Sequence, residues 1–265
     1  MFKLFLYPTL VVIVLLLTGY SRLQQTCNDF VLESTMTIPE FEDISGVTYN
    51  ASTGKYWLVN NKPAFLFEID EQGSILRRIK FDGIYDSEDV VWVKSNVFAV
   101  VDEGTNTFYL FDVKPEDKVL TPSMAIASWK APGEVHSNKG LESVAFDRKT
   151  QKFYCATEKE PIRLFEVQLK DGKAVGREIE TDIESKIEDL SAMTLHDDQH
   201  LYLSDEENLL IFHENSVETS RMSLSFGYNG LSSSLEQAEG VTFAKEKLVI
   251  CSEPNQVYFF KRRDR

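Results

Sequence analysis

The sequence is poor in basic residues: 28 Lys and Arg stand against 42 Asp and Glu, which gives a formal net charge of −14 at pH 7. Binding to nucleic acid needs a basic face that neutralises phosphates, so we expect no nucleic-acid partner. Apolar residues are not scarce, because 43% of the 265 residues are hydrophobic. A chain of this length and composition can bury a core, which excludes a disordered protein and a disulfide-stapled miniprotein.

The motifs of common enzyme classes are also absent. The chain has no Gly-x-Ser-x-Gly nucleophile elbow, no His-Glu-x-x-His zinc motif and no Gly-rich phosphate loop. Its few histidines fall at unrelated positions, so we interpret them as ordinary surface or edge residues rather than a ligand set. They are His136, His196, His200 and His213. The sequence therefore indicates no particular reaction, and whether the protein is an enzyme stays open.

Cysteine is equally rare. The three residues Cys27, Cys155 and Cys251 cannot all pair with one another, so they do not form a disulfide framework. Cys155 and Cys251 lie inside apolar runs and are interpreted as small buried hydrophobes, with a catalytic Cys–His pair as the alternative. Cys27 follows Gln24 and Gln25 with Thr26, a sequence that lacks the small residues of a lipobox and does not favour lipidation.

A long apolar run occurs at the N-terminus, where Lys3 precedes an uncharged stretch over residues 4–17. This pattern is typical of an export signal. The stretch is shorter than the roughly 20 residues of a comfortable membrane span, yet no Ala-x-Ala-like site marks a cleavage point. We assign residues 1–27 to a signal peptide or an N-terminal membrane anchor, with both alternatives open, and residues 28–265 to one folded domain.

Five internal repeats organise that domain. Each repeat begins with a short run such as Leu141-Glu-Ser-Val-Ala-Phe146. After a polar turn, a second apolar run ends in polar residues, for example Phe153-Tyr-Cys-Ala-Thr-Glu158, and a third, aromatic-rich run follows. Successive copies are 43, 54, 49 and 48 residues apart. This is the length of a four-stranded propeller blade.

Short β-branched and aromatic runs between turns predict strands, and beyond the N-terminal segment no stretch keeps a 3.6-residue apolar period. We therefore predict an all-β, five-bladed β-propeller, which explains the five copies better than a β-sandwich does. Four of the repeats should carry a fourth strand, at residues 75–79, 124–129, 177–181 and 221–226. The last repeat lacks one, so the strand at residues 30–38 should pair with residues 256–261 and close the ring.

Several phrases of the repeats occur in an order that is specific for one family. They are Ile44-Ser-Gly-Val-Thr-Tyr-Asn50, Asn60-Asn-Lys-Pro63, Asn138-Lys-Gly-Leu-Glu142, Glu158-Lys-Glu-Pro161, Asp189-Leu-Ser191, Gln237-Ala-Glu-Gly-Val241 and Ser252-Glu-Pro-Asn255. On these phrases, residues 30–260 resemble the SdiA-regulated (YjiK-like) domain family of bacterial exported or membrane-anchored proteins. The resemblance implies a propeller and a loose kinship to phytase-like and calcium-dependent esterase propellers. It implies no agreed activity, so no catalytic residue is carried over.

Blade geometry predicts where a site would lie. The first strand of a blade lines the central channel and the second runs antiparallel to it, so the start of one and the end of the other meet at the same rim. The residues at the start of the first strands, here called the first column, are Ser45, Glu88, Glu142, Ser191 and Glu239. The residues at the end of the second strands, the second column, are Asn61, Glu103, Glu158, Glu206 and Glu253. Strand alternation favours turning the adjacent Asp102 and Asp205 away from the channel.

Seven of these ten residues are glutamates, which repel one another unless something compensates their charge. One candidate is a hard cation such as Ca²⁺, for which the best ligands are Glu142, Glu158 and Glu239. Another is a cationic or hydroxyl-rich ligand. The residues assigned to ligand binding are Asn61, Lys62, Glu88, Glu103, Lys159, Glu206 and Glu253. The structural alternative is a rim in which each glutamate pairs with a backbone N–H or with Lys62, Lys139 or Lys159.

These observations predict a ligand-binding or sensing module of the cell envelope. We expect a monomer that binds a small-molecule or protein ligand at the channel mouth. The module would be anchored in the inner membrane through its N-terminus, facing the periplasm or exterior, or be secreted if the signal is cleaved. The alternative function is a calcium-dependent hydrolase of phosphoesters or lactones, in which a cation at the channel mouth polarises the substrate and activates water.

Overall fold

The computed structural model describes residues 25–27, 29–133, 139–181, 183–196, 199–204, 208–213, 219–235 and 237–263. Of the predicted signal or anchor segment, residues 1–24 lie outside this part of the chain. The described residues form strands and two short 3-10 helices, Pro122–Met124 and Ile183–Ser185. Within the same ranges, no helix is long and apolar enough to cross a membrane.

The strands are numbered in chain order. Two precede the first repeat: β1 (Gln25–Thr26) and β2 (Phe30–Thr37). The first repeat contains β3 (Ile44–Asn50), β4 (Lys55–Asn60), β5 (Phe65–Ile69) and β6 (Ile75–Phe81). The second contains β7 (Ser87–Lys94), β8 (Val97–Asp102), β9 (Thr107–Asp112), β10 (Val119–Leu120) and β11 (Ala127–Lys130). The third contains β12 (Leu141–Asp147), β13 (Lys152–Thr157), β14 (Leu164–Lys170) and β15 (Lys173–Ile179). The fourth contains β16 (Ala192–His196), β17 (Gln199–Ser204), β18 (Asn208–His213) and β19 (Thr219–Ser223). The last contains β20 (Ala238–Ala244), β21 (Lys247–Ser252) and β22 (Gln256–Arg262).

These strands form five sheets, each built around an antiparallel meander of four strands. The innermost strands β3, β7, β12, β16 and β20 contact one another in a closed cycle, because β20 packs beside β3 as well as beside β16. The predicted five-bladed propeller is therefore confirmed. The loops that enter the inner strands and the turns that follow the second strands lie at the same end of the channel, here called the mouth.

The ring closes as the displaced strand predicts. β2 is the outer strand of the last blade and pairs antiparallel with β22, from Phe30 opposite Arg262 to Thr37 opposite Gln256. The two segments are separated by more than 200 residues in sequence, yet their pairing completes a four-stranded sheet. The last blade thus contains strands from both parts of the chain. β2 covers the edge of β22, which would otherwise be exposed.

The outer strands differ in detail from the prediction. In the second blade, residues 124–129 are not one strand, because Pro122 begins a 3-10 helix that ends at Met124 and β11 starts only at Ala127. Two parallel two-residue strands also extend outer edges: β10 pairs with β6, and β1 pairs with β19. The propeller fold therefore includes Gln25 and Thr26, which precede the boundary drawn at residue 28.

The core is divided among the contacts between blades. Five apolar clusters lie between successive blades, one at each seam, and each combines side chains from both neighbours. Aromatic pairs cross these seams, such as Trp57 with Phe98 at a centroid distance of 4.5 Å. Cys27, Cys155 and Cys251 are free thiols buried in these clusters, as predicted for the last two. Burial raises the pKa of the Cys155 and Cys251 thiols, which keeps them protonated and unreactive.

Removal of the closing strand should destabilise the whole ring. Deletion of residues 28–38 exposes the edge of β22 and the apolar seam beside it, so we expect aggregation or loss of cooperative unfolding. A milder test is Phe30→Ala, because this ring is only 3% exposed in the seam between the last two blades. Truncation should lower the free energy of unfolding by about 3 kcal/mol in denaturant titrations.

The matched control is Thr35→Ala, on an exposed position of the same strand. It should change stability by less than about 0.5 kcal/mol. A monomeric deletion variant with the wild-type melting temperature would refute the closure.

Candidate functional site

A cavity of about 360 Å³ opens at the channel mouth and is lined entirely by polar or charged residues. All first-column residues contribute, together with the second-column residues of the first, second, third and last blades. The structure therefore brings together the sets Ser45, Glu88, Glu142, Ser191 and Glu239, and Asn61, Glu103, Glu158 and Glu253. Glu206 lies outside the described residues. Lys62 also lines the cavity, whereas Lys159 stands beside it and pairs with Glu158.

β-Bulges direct the side chains of the first column into this cavity. In four blades the inner strand skips one residue in its pairing with the second strand, and the skipped residues are Ser45, Glu88, Glu142 and Glu239. In the fourth blade the N–H of Ser191 donates to the Leu203 carbonyl at 3.1 Å, while Ala192 is also opposite Leu203. A bulge leaves its extra residue outside the ladder and re-directs the side chain. The repeated bulge is thus the local cause of the first column.

A third set of residues lines the mouth, and our sequence reasoning missed it. These residues lie two positions before the first column and are here called the third column: Asp43, Asp86, Asp189 and Gln237. Side chains two positions apart on extended chain share a face, so the period of two was the signal that could have found them. Backbone bonds fix the arrangement, because the N–H groups of Asn61, Glu103 and Glu253 donate to the carbonyls of Asp43, Asp86 and Gln237.

The third blade has Gly140 at the third-column position. Its N–H donates to Glu103 Oε1 at 3.0 Å, and a Cβ at this position would lie 2.5 Å from the Glu103 carbonyl oxygen. A larger residue would therefore displace Glu103. Asp102 behaves as expected and does not line the cavity, since it accepts hydrogen bonds from the Thr105 hydroxyl and the Asp86 N–H. Asp205 lies outside the described residues.

Two groups of three carboxylates are close enough to share a cation. Oxygens of Glu103, Glu142 and Glu158 all lie within 4.8 Å of one another, and so do oxygens of Asp86, Glu88 and Glu103. Glu103 belongs to both groups. Of the metal ligands assigned from sequence, Glu142 and Glu158 are therefore adjacent, whereas Glu239 lines the same cavity but is not part of either group.

Glu142 is the most unusual of these carboxylates. Its side chain is 9% exposed, and among the described residues it makes no hydrogen bond or ion pair. Burial raises its pKa well above the ordinary value, and the charges of Glu88, Glu103, Glu239 and Glu158 raise it further. Carboxylates that are crowded together and largely withdrawn from water repel one another, so a bound cation would compensate their charge.

The other glutamates of the mouth have partial compensation. Glu88 accepts a hydrogen bond of 2.8 Å from Asn61 Nδ2, although burial and the neighbouring Asp86 and Glu103 still raise its pKa well above the ordinary value. The Oδ1 atom of Asn61 is buried without a hydrogen-bond partner, in a side chain that is 7% exposed. Asn61, a residue of the cavity lining, therefore has an amide oxygen that is unpartnered among the described residues.

Two carboxyls have pKa values near neutrality. Burial raises the pKa of Glu103 from 4.5 to about 7, opposed by the Gly140 N–H and assisted by Asp86. Glu253 also has a pKa raised to about 7, first by burial and then by its hydrogen bond with the Asp43 carboxyl. The cavity therefore gains negative charge as the pH rises through 7.

The lysines do not neutralise the centre of the mouth. Lys139 pairs with Glu160 at 2.6 Å, and Lys159 pairs with Glu158. Lys62 is 75% exposed and lies 3.9 Å from Asp43. The rim is therefore only partly the self-compensated ring of glutamate–lysine pairs that the structural alternative requires.

Comparisons with known proteins show which family and which solved structures this chain resembles. A family profile described as SdiA-regulated matches residues 25–261. A chain in the crystal structure of a nidogen/laminin complex superposes with a TM-score of 0.54 at 9% identity, covering 80% of this chain and 72% of that chain. A structure of catalytically inactive virginiamycin B lyase from Staphylococcus aureus with quinupristin has a TM-score of 0.44 at 14% identity, covering 83% of this chain and 66% of that chain. At 9% identity, the first likeness supports the fold alone.

The raised pKa of Glu103 predicts a pH dependence of stability in metal-free protein. The folded state holds this proton up to about pH 7, whereas the unfolded state releases it near 4.5. Stability from this group is thus present below pH 4.5 and is lost as the pH rises to 7. Glu103→Gln should remove about 2 kcal/mol of that loss, measured as the difference in unfolding free energy between pH 5 and 8 in chelator.

The control for this measurement is Glu160→Gln, which changes an exposed carboxylate outside the cavity and should leave the pH profile above 5 unchanged. A Glu103→Gln profile that follows the wild type would show that Glu103 ionises normally.

Proposed function

The chain belongs to the SdiA-regulated family, and from that premise we propose that its propeller is a binding module of the cell envelope that holds Ca²⁺ at the channel mouth. The observation that supports this most is the Glu142 carboxylate, which is nearly buried and has no donor among the described residues. Oxygens of Glu103 and Glu158 lie within 4.8 Å of its own. One divalent cation among the three would replace their mutual repulsion by attraction.

The donor set favours a hard cation. The described residues that line the cavity offer carboxylate, amide and hydroxyl oxygens and the ammonium group of Lys62, and none of them carries a thiol or an imidazole. Ca²⁺ takes six to eight oxygens in flexible geometry, which suits a ring of ligands from different blades better than the strict octahedron of Mg²⁺. Glu103, Glu142 and Glu158 are the proposed ligands, and the amide side chain of Asn61 lies in the lining of the same mouth.

The rest of the mouth is suited to a second, uncharged ligand. Ser45, Ser191 and Gln237 line the wall with neutral hydrogen-bonding groups, in contrast to the carboxylates of the second and third blades. A calcium ion with incomplete protein coordination would have positions open for ligand oxygens. A small, hydroxyl-rich molecule therefore fits the mouth better than an anion, which the remaining carboxylates would repel.

The proposed location rests on the N-terminal sequence. Lys3 and the apolar run over residues 4–17 have the pattern of an export signal, so we place the propeller outside the cytoplasmic membrane, either tethered or released. Outside the cytoplasm, Ca²⁺ can occupy even a weak site. Extracellular modules bind it with Kd values of about 10⁻⁴–10⁻³ M.

Calcium should stabilise the protein. At a hundredfold excess over Kd, one bound ion adds about 2.7 kcal/mol to the free energy of unfolding, which differential scanning calorimetry detects as a higher Tm. The double variant Glu103→Gln/Glu142→Gln should keep its fold and lose that rise, because the amides preserve volume and remove two charges. The double variant Glu142→Gln/Glu239→Gln should also lose the calcium-induced rise in Tm. The loss is due to Glu142, because Glu239 is not one of the proposed ligands.

Glu160→Gln is again the matched control and should respond to calcium as the wild type does. Equal Tm values with calcium and with chelator in the wild type would contradict the metal proposal. Magnesium at the same concentration should give a smaller shift.

The hydrolase alternative has a specific candidate for its general base. Glu253 lines the same cavity, has a pKa of about 7, and is not one of the proposed metal ligands. If the calcium-loaded protein hydrolyses a phosphoester, ester or lactone in a substrate screen, Glu253→Gln should lower kcat while leaving the calcium-induced Tm shift intact. No turnover with any of these classes would leave the binding function alone.

A further inference from the structure

A second cavity lies away from the mouth, at the seam where the last blade meets the first. It has a volume of about 540 Å³, and we call it the seam cavity. Its floor contains Tyr49, Tyr56 and Phe259, and its rim is formed by the turn after β5 and the turn between β20 and β21. The rings form a contiguous set, with centroid distances of 5.2 Å between the tyrosines and 5.6 Å from Tyr56 to Phe259.

The two tyrosines form part of this floor, and their hydroxyl groups are available to a ligand. Tyr49 is 7% exposed and Tyr56 is 6% exposed, yet within the described residues neither hydroxyl makes a hydrogen bond. Burial raises the pKa of Tyr56 to about 12, with smaller contributions from Tyr49 and Glu71. Neither hydroxyl oxygen is fully buried, so both are open to the cavity and can hydrogen-bond a ligand there.

The repeat itself shows what occupies the corresponding place in another blade. At the seam between the second and third blades, the guanidinium of Arg148 lies 4.5 Å from the centroid of the Trp92 ring. It donates to the carbonyls of Val93 at 2.8 Å and Trp92 at 3.2 Å, and it lies 6.0 Å from the ring of Phe146. A planar cation thus fills that seam beside aromatic rings.

The matching turn in the first blade has no such side chain. Asn50 ends β3 as Asp147 ends β12, and each accepts a hydrogen bond from the N–H two residues later and another from the N–H four residues later. Ala51 therefore stands where the third blade has Arg148. Tyr49 likewise corresponds to Phe146. Tyr49 lines the seam cavity two residues before Ala51, so the side chain that corresponds to Arg148 is missing from the turn that follows this lining residue.

The charges at the rim suit a cation. Glu71 and Glu246 line the seam cavity with Gln72, and they are balanced by Lys245 and Lys247. Lys247 is already paired with Glu33, so the two carboxylates of Glu71 and Glu246 face one remaining cation, Lys245, and the rim has an excess of one negative charge. Together with the two tyrosine oxygens, they supply acceptors on several sides of the cavity.

We propose that the seam cavity binds a small molecule that carries a guanidinium group and has about the size of arginine. The guanidinium would lie where Arg148 lies in its own seam, against the aromatic floor, and would donate to the tyrosine hydroxyls and to Glu71. A cavity of several hundred Å³ with an apolar floor and a few convergent polar groups is typical of small-molecule sites. This inference is independent of the calcium site.

The test is calorimetric titration of the full chain, saturated with calcium, with L-argininamide. The matched probe is L-citrullinamide, whose urea group has nearly the same shape and no charge. Wild-type protein should bind argininamide about tenfold more tightly, as expected for a charge-assisted hydrogen bond with a cation–π contribution. Tyr56→Phe should weaken argininamide binding about threefold while leaving the fold intact.

The decisive variant is Ala51→Arg, which supplies the missing side chain from the protein itself. It should raise Tm and weaken argininamide binding at least tenfold, whereas Ala51→Gln, on the same exposed position, should bind as the wild type does. If Ala51→Arg does not fold, Tyr49→Phe/Tyr56→Phe serves as the blocking variant and should weaken binding about tenfold. Equal binding of the two probes overturns the proposal, and so does binding that survives both blocking variants. Binding lost in Glu103→Gln/Glu142→Gln instead would place the probe at the mouth and also overturn it.

Discussion

The convergence of five inner strands on one narrow channel is the constraint on which the rest of the structure depends. The strands approach so closely that a Cβ on Gly46 would lie 2.7 Å from the Asp89 Cα, and a Cβ on Gly240 would lie 2.9 Å from the Gly46 Cα. Only residues without a side chain fit there. The same convergence brings carboxylates from different blades within 4.8 Å of one another and limits their contact with water. The geometry of the ring, and no single blade, thus creates the electrostatic problem that a cation would solve.

Other parts of the molecule compensate the unfavourable free energy of holding these carboxylates close together. Asp89 is a further buried carboxyl of the ring. It is 2% exposed and accepts hydrogen bonds from the backbone N–H groups of Val90 and of Val144 in the next blade. Burial raises its pKa well above the ordinary value, so it joins two blades as a hydrogen-bonding group. The apolar seams supply most of the stability, since each buries side chains from two blades. The apolar contacts therefore lie at the seams, whereas the crowded carboxylates lie at the mouth.

The sequence predicts the large-scale features well because they follow from periodicity. The repeat length indicates blades, the missing fourth strand of the last repeat indicates closure by residues 30–38, and strand direction places both columns at one rim. What it does not predict depends on local geometry. The bulges that aim Glu88 and Glu142 leave no signature in residue type. The grouping of Glu103 with Glu142, instead of Glu239, depends on which side chains converge across a seam.

Smaller elements were missed for a different reason. The strands β1 and β10 are two residues long and pair parallel to outer strands, so they have no alternation to detect. The third column could have been recognised from the sequence, because Asp43 and Asp86 lie two residues before Ser45 and Glu88. It is less regular than the glutamate columns, because Gly140 and Gln237 replace the carboxylate in two of the five blades. The seam cavity could be found only by comparing blades in space, since Ala51 is an ordinary turn residue in the sequence.

The pairing of β2 with β22 also decides how the protein can be handled or held. Thr37 and Gln256 lie near the mouth, whereas Phe30 and Arg262 are paired about 20 Å further along the same two strands. At that far end, the Arg263 N–H donates to the Asp29 carbonyl at 2.7 Å. The start of β2 and the end of β22 therefore lie side by side, on the face opposite the mouth. A surface attachment, a fusion partner or a short linker joining the two ends into a circular permutant would all leave the mouth open to solvent.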